Sequence, residues 1–538
     1  MSEPAGFAGP LSAAVASLCD RLRPQVSPAT AAGFADVLHR LAAPLQVAVA
    51  GRIKSGKSTL VNALIGRRVA PTDIGECTRL VTRFSYDALD RVEVIFTDGG
   101  KQVLPFDAEG MIPARLGVDL DRVSHLEVYL TNAVLRDLTV IDTPGLGSLD
   151  AGSVARTESA LGTVATSTTA TSTSAVGTTA AGDSATKDTL DAVSANAVAG
   201  AEAVLYVLTQ SARADDREVL TAFSAATAGR DAGPVNAIAV LNKADTVVAE
   251  SVAGSGGNVW QAAQLLARRQ AEVLATRVAE VLPVIGLLAE SAETGRFSSA
   301  DAYALRGLAE LDADTVATML VSAELFTSWD VGVPAATRAA LLARLDLYGI
   351  ECAITAIREA PNITTGSLRR LLLDLSGLAE VRGRLEAVFR ARADGIKAAA
   401  ALASIVAIAA ASGDDGERQR VHDAIEVLLA KPQAHQLRLL EALTLVASGA
   451  LDLPADLAEE VLRVGSSVRV DEQLGRPGAE PAELAGHALE RAGWWRSFAS
   501  FGATPAQSRV AHVVHRAYFL IWQRLREQTG PGRADRGG

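Results

Sequence analysis

Apolar residues near the start of the chain recur with the period of a helix. Two runs, 11–22 and 34–41, place Leu, Val or Phe at the spacing of one helix face. Pro24 and Pro28 separate the runs, because proline has no amide hydrogen to offer a helix interior. The pattern predicts two N-terminal helices.

From Gln46 to about Pro283, short β-branched runs alternate with helical stretches. This alternation predicts a mostly parallel sheet with helices on both faces, and it places ligand chemistry at the carboxyl ends of the strands. The runs expected to be strands are LQVAVAG, RVEVIFTD, HLEVYL, DLTVID, AEAVLYVL, NAIAVLN and LPVIGLL.

After residue 295 the pattern is helical almost throughout, and from about Asp394 it predicts a helical bundle or stalk with an aromatic last helix. Its aromatic residues are Trp494, Trp495, Phe498, Phe501, Tyr518, Phe519 and Trp522. Buried aromatics would anchor helix packing, which we expect, whereas exposed ones would suit a membrane interface.

Three further segments have unusual composition. Residues 162–188 are almost entirely Thr, Ser, Ala and Gly, which predicts a flexible insert, with phosphorylation of its hydroxyls as the alternative. Residues 398–412 are the most apolar window, but they are short for a bilayer span of about 20 residues, so we expect a buried helix. The tail from about residue 529 is expected to be disordered.

Length and charge narrow the function classes. A chain of 538 residues is too long for one hydrophobic core, so several domains are expected. The net charge of -11 disfavours nucleic acid as a partner. Cys19, Cys77 and Cys352 lie far apart without CxxC spacing, and no secretory signal precedes them, so we expect a reducing cytoplasm.

The segment GRIKSGKS, 51–58, matches the phosphate-binding pattern GxxxxGK[ST] in full. Its glycines let backbone amides turn toward a phosphate, and the following helix adds its positive end. Lys57 is expected to reach the β and γ phosphates, and the Ser58 hydroxyl to bind Mg²⁺. The residues expected to contact nucleotide here are Gly51, Lys54, Ser55, Gly56, Lys57, Ser58 and Thr59.

Two more motifs end later strands. In DTPG, Asp142 can hold Mg²⁺ through water, and the amide of Gly145 can sense a γ phosphate. In NKAD, formed by Asn242, Lys243 and Asp245 around an alanine, the carboxylate can accept the N1 and amino hydrogens of guanine. Adenine has an acceptor at N1, so the three motifs together predict GTP or GDP with Mg²⁺.

With these motifs the chain resembles the dynamin superfamily of large GTPases. The segment VAPTDIGECTRLVTRF, 69–84, resembles the dynamin switch I, which implies that Thr78 binds Mg²⁺ and positions the attacking water, with Arg79 following it. The segments PVIGLLAES, LDLYGI and SGLAEVRGRLEAVFRARADGIKAAAAL resemble bacterial dynamin-like proteins, especially the isoniazid-inducible branch of mycobacteria and related actinobacteria.

The resemblance covers roughly residues 10–525 and implies an α/β P-loop GTPase domain with an all-α bundle or stalk. The implied regions are N-terminal helices, 1–45, packing with the C-terminal region; a GTPase domain, 46–393, with the insert and helical additions after 295; and the bundle, 394–538.

The same resemblance implies function and partners. It implies GTP hydrolysis coupled to self-association through G domains or to a second dynamin-like protein, and a stress response. It also implies membrane remodelling from a cytoplasmic, peripheral position at the inner face of the plasma membrane. Contact with an anionic membrane surface is expected, either directly or through the partner.

The phosphate loop departs from the dynamin pattern. Ile53 and Lys54 stand where dynamins carry a glutamine and a serine, and Lys54 occupies the slot of an internal arginine finger in some related large GTPases. Lys54 either stabilises charge on the β–γ bridging oxygen, as a catalytic residue beside Lys57 and Thr78, or points to solvent. Lysine suits bidentate phosphate contact less than arginine, so slow intrinsic turnover is expected.

Two other functions are weighed against this one. An Era-type regulatory GTPase, acting in ribosome assembly or signalling, is the main alternative, although the acidic balance and the lack of a basic RNA-binding region argue against it. A structural protein that binds nucleotide but barely hydrolyses it is the other. Leu146 stands where small GTPases keep a water-positioning glutamine, so catalysis would depend on Thr78 and backbone groups, as in dynamins.

Overall fold

The computed structural model describes residues 8–72, 80–144, 201–209, 236–274, 277–386, 393–431, 434–447, 451–466 and 469–529. The Ser/Thr-rich insert at 162–188 and the tail beyond Thr529 lie outside these residues, so the expectations for them stay predictions.

A nine-stranded sheet forms the centre of the first half of the described chain. Its strands are β1 (Leu45–Gly51), β2 (Thr82–Tyr86), β3 (Arg91–Phe96), β4 (Lys101–Leu104), β5 (Val123–Leu130), β6 (Leu138–Asp142), β7 (Ala203–Thr209), β8 (Ala237–Asn242) and β9 (Val281–Val284). They lie in the order β4-β3-β5-β2-β6-β1-β7-β8-β9. The pairs β1–β6, β1–β7, β2–β5, β7–β8 and β8–β9 are parallel, whereas β2–β6, β3–β4 and β3–β5 are antiparallel. The mostly parallel sheet is therefore confirmed.

The sequence of each strand matches its place in the sheet. The strand β8, AIAVLN, pairs in parallel with β7 and β9 and is buried at every position, as expected for a parallel strand covered on both faces. The strand β3, which pairs antiparallel on both sides, alternates instead, with Val92 and Val94 buried and Arg91 and Glu93 on the other face. All seven predicted runs contain a strand, but β2 and β4 were not predicted. In LPVIGLL the strand ends at Val284, because a helix begins at Gly286.

Helices cover the sheet and form the rest of the described chain. They are α1 (Pro10–Leu22), α2 (Pro28–Ala42), α3 (Lys57–Ile65), α4 (Val259–Val273), α5 (Gly286–Glu293), α6 (Ser299–Ala309), α7 (Ala313–Met319), α8 (Ala323–Ser328), α9 (Ala335–Glu359), α10 (Thr365–Leu375), α11 (Leu378–Leu385), α12 (Ala393–Ala411), α13 (Asp415–Leu429), α14 (His435–Ala447), α15 (Ala455–Ser466), α16 (Val470–Gln473), α17 (Pro481–Phe501) and α18 (Pro505–Thr529). The two N-terminal helices are as predicted, and the Ser27 hydroxyl caps α2.

The N-terminal helices share an apolar core with α12, α13 and the start of α14. Asp394 at the start of α12 accepts hydrogen bonds from the amides of Leu11 (2.9 Å) and Ser12 (2.7 Å), and so caps α1. By length and composition α12 could cross a membrane, with a mean hydropathy of 1.6, but half of that window is buried against other helices. This packing agrees with the buried helix expected there. The boundaries drawn at 45/46 and 393/394 stay predictions.

The last part of the described chain has a core of its own, formed by α14 to α18. The aromatic segment predicted as one last helix is two helices, α17 and α18, which pack along each other after a break at Gly502. Trp495 and Tyr518 are fully buried, as expected for packing residues. Trp494 and Phe501, in contrast, are 40% and 93% exposed.

Candidate functional site

The phosphate loop connects β1 to α3 at the carboxyl edge of the sheet. Gly51 has φ +152°, and a Cβ there would lie 2.5 Å from the carbonyl oxygen of Val207. Gly56 has φ +87°, and a Cβ there would collide with the side-chain amide of Asn242. Both positions therefore require glycine for conformation and for space. Lys54 adopts φ +63° without being glycine, and its side chain is exposed.

The side chain of Lys57 turns back into this loop. It is 7% exposed, and its ammonium donates to the carbonyl oxygens of Gly51 (3.0 Å) and Arg52 (2.9 Å). Burial lowers the pKa of Lys57 to about 8, although the nearby carboxylate of Asp142 opposes the shift. An ammonium has three donors, so one is left for a ligand oxygen, and an anionic ligand would restore its ordinary pKa.

Ser58 and Asp142 lie beside this lysine. The Ser58 hydroxyl donates to Oδ2 of Asp142 (2.8 Å), and Oδ1 of Asp142 is buried without a hydrogen-bond partner among the described residues. Burial raises the pKa of Asp142 to about 6, opposed by Lys57 and by the hydrogen bond from Ser58. Carboxylate and hydroxyl oxygens are the ligands that Mg²⁺ prefers, so these residues fit the ion. A bound cation would satisfy the unpaired oxygen.

The NKAD motif sits at the end of β8, on the other side of the loop. The Asn242 amide donates to the carbonyl oxygen of Ser55 (2.7 Å) and accepts from the amide of Gly286 at the start of α5 (2.9 Å). Asn242 therefore ties the phosphate loop to α5. Its role in the site is to hold these two segments together, which the motif alone did not indicate.

Asp245, the residue expected to read guanine, is only partly buried. Burial and the nearby Asp346 raise its pKa to about 6, whereas Lys243 opposes the shift. Lys243 is exposed and has φ +58°. Asp346 interrupts α9 with φ +54°, a conformation that L-residues rarely adopt, so backbone strain accompanies this second carboxylate.

The structure brings most, but not all, of the expected residues together. Lys57, Ser58, Asp142 and Asn242 meet at the carboxyl ends of β1, β6 and β8, and Thr59 lies in the first turn of α3. The remaining residues of switch I and DTPG with assigned roles, Thr78, Arg79, Gly145 and Leu146, lie outside the described residues. Their roles stay predictions, and so do both interpretations of Lys54.

Sequence reasoning missed residues that support the site from behind. Asn62 on α3 is buried and bonded to Glu290 on α5 (2.7 Å). A polar residue inside the apolar run TLVNALIG is a signal that could have drawn attention to Asn62. No comparable signal marks Glu290 or Asp346, because their partners are distant in sequence.

Comparisons with known proteins agree with this site. The model of the dynamin family matches residues 47–243, from β1 to the NKAD motif. The isoniazid-induced protein IniC of Mycobacterium tuberculosis is 31% identical over 467 residues, which are 85% of this chain and 85% of IniC. The chain belongs to the dynamin family. Because the dynamin domain is a GTPase domain, this dynamin-family protein binds guanine nucleotide and hydrolyses GTP.

Two further matches concern bacterial dynamins. A bacterial dynamin-like protein of Nostoc punctiforme is 28% identical over 129 residues, 22% of this dynamin-family chain and 18% of that protein. A solved structure described as an oligomerised bacterial dynamin pair aligns with 96% of this chain and 90% of its own, at 12% identity and a TM-score of 0.32. Membership of the dynamin family leaves the Era-type alternative without support.

Proposed function

We propose that this dynamin-family GTPase couples Mg²⁺-dependent GTP hydrolysis to association of G domains and to movement of its helical regions at a membrane. The observation that carries the nucleotide part is the buried group of Lys57, Ser58 and Asp142. It combines a buried ammonium, which donates to two backbone carbonyl oxygens, with a carboxylate oxygen that has no hydrogen-bond partner among the described residues. Both needs are met by a polyphosphate bound with Mg²⁺.

Each residue has a proposed part in hydrolysis. Ser58 and Asp142 would hold Mg²⁺, with Thr78 added by the switch I resemblance, and the ion would neutralise charge between the β and γ phosphates. Lys57 would orient the phosphates with its remaining donor while its other donors stay on the loop carbonyls. Asp245 would accept the two guanine hydrogens.

A buried junction supports transmission from the G domain to the helical regions. The ammonium of Lys397 on α12 donates to the carbonyl oxygen of Arg40 at the end of α2 (2.8 Å) and lies 3.5 Å from Glu202. Glu202 precedes β7 and accepts from the amide of Gln46 in β1 (2.9 Å). The paired strands β1 and β7 are therefore linked through Glu202 to the helices expected to move.

The membrane part of the proposal is supported by one exposed end of the C-terminal helices. Phe501 ends α17 and is 93% exposed; earlier on the same helix, Trp494 is 40% exposed and stacks on Phe498 with ring centroids 5.5 Å apart. An aromatic side chain with that exposure suits the interface of a lipid bilayer. We propose a peripheral position at the inner face of the plasma membrane, with direct contact or contact through a second dynamin-like protein.

GTP turnover over a series of protein concentrations, with and without anionic vesicles, tests the proposal. We expect specific activity to rise with concentration, to require Mg²⁺ and to be absent from Lys57→Ala, and we expect the protein to pellet with vesicles. Activity independent of concentration would contradict G-domain association. Pelleting with RNA and not with vesicles would favour a switch that acts on nucleic acid.

The site of membrane contact has its own variant. Phe501→Ser is expected to reduce vesicle pelleting several-fold without changing GTP turnover in solution. Tyr303→Ser is the matched control, because Tyr303 is another highly exposed aromatic, 79% exposed, on α6. Vesicle binding that is equal in both variants would place the contact elsewhere or in a partner protein.

The name of IniC suggests a stress role for this chain. IniC is described as isoniazid-induced, and we extend that property to this dynamin-family protein as a proposal. Transcript levels of its gene before and after isoniazid treatment test the extension. Unchanged levels would argue against it.

A further inference from the structure

Asn62 is a fully buried amide on α3, the helix that begins at the phosphate-binding lysine. Its Nδ2 donates to the carbonyl oxygen of Ala70 (2.9 Å) and to Oε1 of Glu290 (2.7 Å). Its Oδ1 accepts from the amides of Val69 (2.9 Å) and Ala70 (2.8 Å). Every donor and both lone pairs of the amide are used, so Asn62 fixes Val69 and Ala70 in place against α3.

Glu290, the acceptor for Asn62, is 1% exposed on α5. Its other oxygen accepts from Arg296 (3.1 Å), which lies in the connection from α5 to α6, the first of the helical additions. The same helix α5 begins at Gly286, which is bonded to Asn242 of the NKAD motif. The buried carboxylate of Glu290 thus links α3 to the connection between α5 and α6. The guanidinium of Arg296 balances its negative charge.

We propose that Asn62 and Glu290 are positioning residues for GTP hydrolysis, an inference that rests on the proposed function. Val69 and Ala70 are the first residues of the segment 69–84, which resembles switch I. By holding them on α3, Asn62 sets where this segment starts relative to the hydroxyl of Ser58. Glu290 fixes the rotamer of Asn62, since it accepts one of the two amide hydrogens.

The geometry also indicates which kinetic quantity the pair controls. The phosphate loop is held by other bonds, from Asn242 to Ser55 and from Lys57 to the loop carbonyls, which do not involve Asn62 or Glu290. GDP has no γ phosphate and therefore makes little use of the switch segment. Loss of the Asn62–Glu290 bond is expected to lower kcat and to leave GDP affinity nearly unchanged.

Asn62→Asp is the direct test in the full chain. The new carboxylate keeps its acceptors for the amides of Val69 and Ala70, but its other oxygen faces both the carboxylate of Glu290 and the carbonyl oxygen of Ala70, so two anions meet in a buried site. We expect kcat for GTP to fall by about 10-fold or more, with GDP affinity within about 3-fold of the wild type.

A second substitution reverses the polarity of the bond and serves as the rescue. In Asn62→Asp/Glu290→Gln, the new glutamine can donate to the new aspartate and still accept from Arg296. We expect the double variant to recover at least about 5-fold of the lost kcat. Glu290→Gln alone is expected to lose less than Asn62→Asp, because its carbonyl oxygen can still accept from Asn62.

Different results would contradict the role of Asn62 and Glu290 and the proposed Mg²⁺-dependent GTP hydrolysis. An Asn62→Asp variant with unchanged kcat would overturn the inference. So would a parallel fall of kcat, GDP affinity and melting temperature, or a double variant that regains its melting temperature but not its kcat. Wild-type GTP turnover that does not require Mg²⁺ would count against the proposed function itself.

Discussion

Two charged side chains at this site lie in surroundings that oppose their charge. Lys57 and Asp142 are both buried, so the Lys57 ammonium is a stronger acid and the Asp142 carboxylic acid a weaker acid than usual. Each charge is partly stabilised by the opposite charge of the other residue. In the nucleotide-free protein, the burial of these two charges therefore lowers the free energy of unfolding. A polyphosphate bound with a cation would pair both charges and stabilise the folded state.

Asp142→Asn is expected to raise the stability of the nucleotide-free protein. The folded chain holds the Asp142 proton more tightly than the unfolded chain, so this residue lowers stability as the pH rises from its ordinary pKa of 3.8 to about 6. At pH 7.5 the gain should be about 1 to 3 kcal/mol in thermal or urea unfolding, with Mg²⁺-dependent GTPase activity lost. At pH 4 the gain should be much smaller, because Asp142 is then protonated in the folded chain and partly protonated in the unfolded chain. An equal gain at both pH values would contradict the assignment.

The guanine-reading residue should make nucleotide affinity depend on pH. Asp245 must be ionised to accept two hydrogens, and its pKa is about 6, so GTP affinity should fall toward tenfold per pH unit below that value. Asp346→Asn removes the neighbouring charge that raises this pKa. In the variant, the pH at which GTP affinity begins to fall should therefore be lower, as measured by titration calorimetry at several pH values.

Comparison with the wild type isolates this effect, because the phosphates and Asp142 titrate in both proteins. Identical pH profiles would show that Asp346 does not act on Asp245. The strain at Asp346, φ +54°, is retained in the asparagine variant, so the backbone is a matched background.

At the scale of elements, the chain's strands and motifs were predictable to different degrees. The phosphate loop and DTPG fix Lys57, Ser58 and Asp142 by local spacing, and the structure brings these side chains together. β2 and β4 were missed because they are short, five and four residues, and alternate with polar positions. The split between α17 and α18 was signalled by Gly502 and Pro505, but the aromatic pattern dominated the prediction.

Contacts between distant segments could not be predicted from one sequence. Asn62 and Glu290 are 228 residues apart, and Glu202 and Lys397 are 195 apart. Nothing in local periodicity indicates that such residues meet, since their pairing follows from how strands and helices are packed. Buried polar residues in apolar runs indicate only that some partner exists.

The junction at the start of α12 should respond strongly to loss of one partner. Lys397 is 2% exposed, and Lys397→Met would leave Glu202 buried without its cation. We expect destabilisation of about 3 to 5 kcal/mol in urea unfolding. The double variant Glu202→Gln/Lys397→Met should recover most of it, because the glutamine can still accept from Gln46 and carries no charge. A single variant as stable as the wild type would show that this pair does not hold α12 to the sheet.

At the scale of the whole molecule, the described chain has separate apolar cores. The core of α14 to α18 contains Trp495, and Trp494 and Trp522 pack at its margin, whereas Trp260 packs with the helical additions. The nucleotide site belongs to the sheet, whose core is formed by other residues. A ligand stabilises only the unit that it binds, unless the units unfold together.

Heating with GDP and Mg²⁺ should therefore move one unfolding transition and leave another in place. Tryptophan fluorescence reports mainly the C-terminal helices, since three of the five tryptophans are there, and its midpoint should shift little with ligand. Circular dichroism follows all helices and should show a second unfolding step at higher temperature with ligand. The free energy of unfolding for that step should rise by RT ln(1 + [L]/Kd), about 2.7 kcal/mol at a ligand concentration a hundredfold above Kd. Lys57→Ala is the control, in which neither probe should respond to GDP. Equal shifts in both probes would mean that the G domain and the C-terminal helices unfold as one unit, which would favour rigid transmission of movement between them.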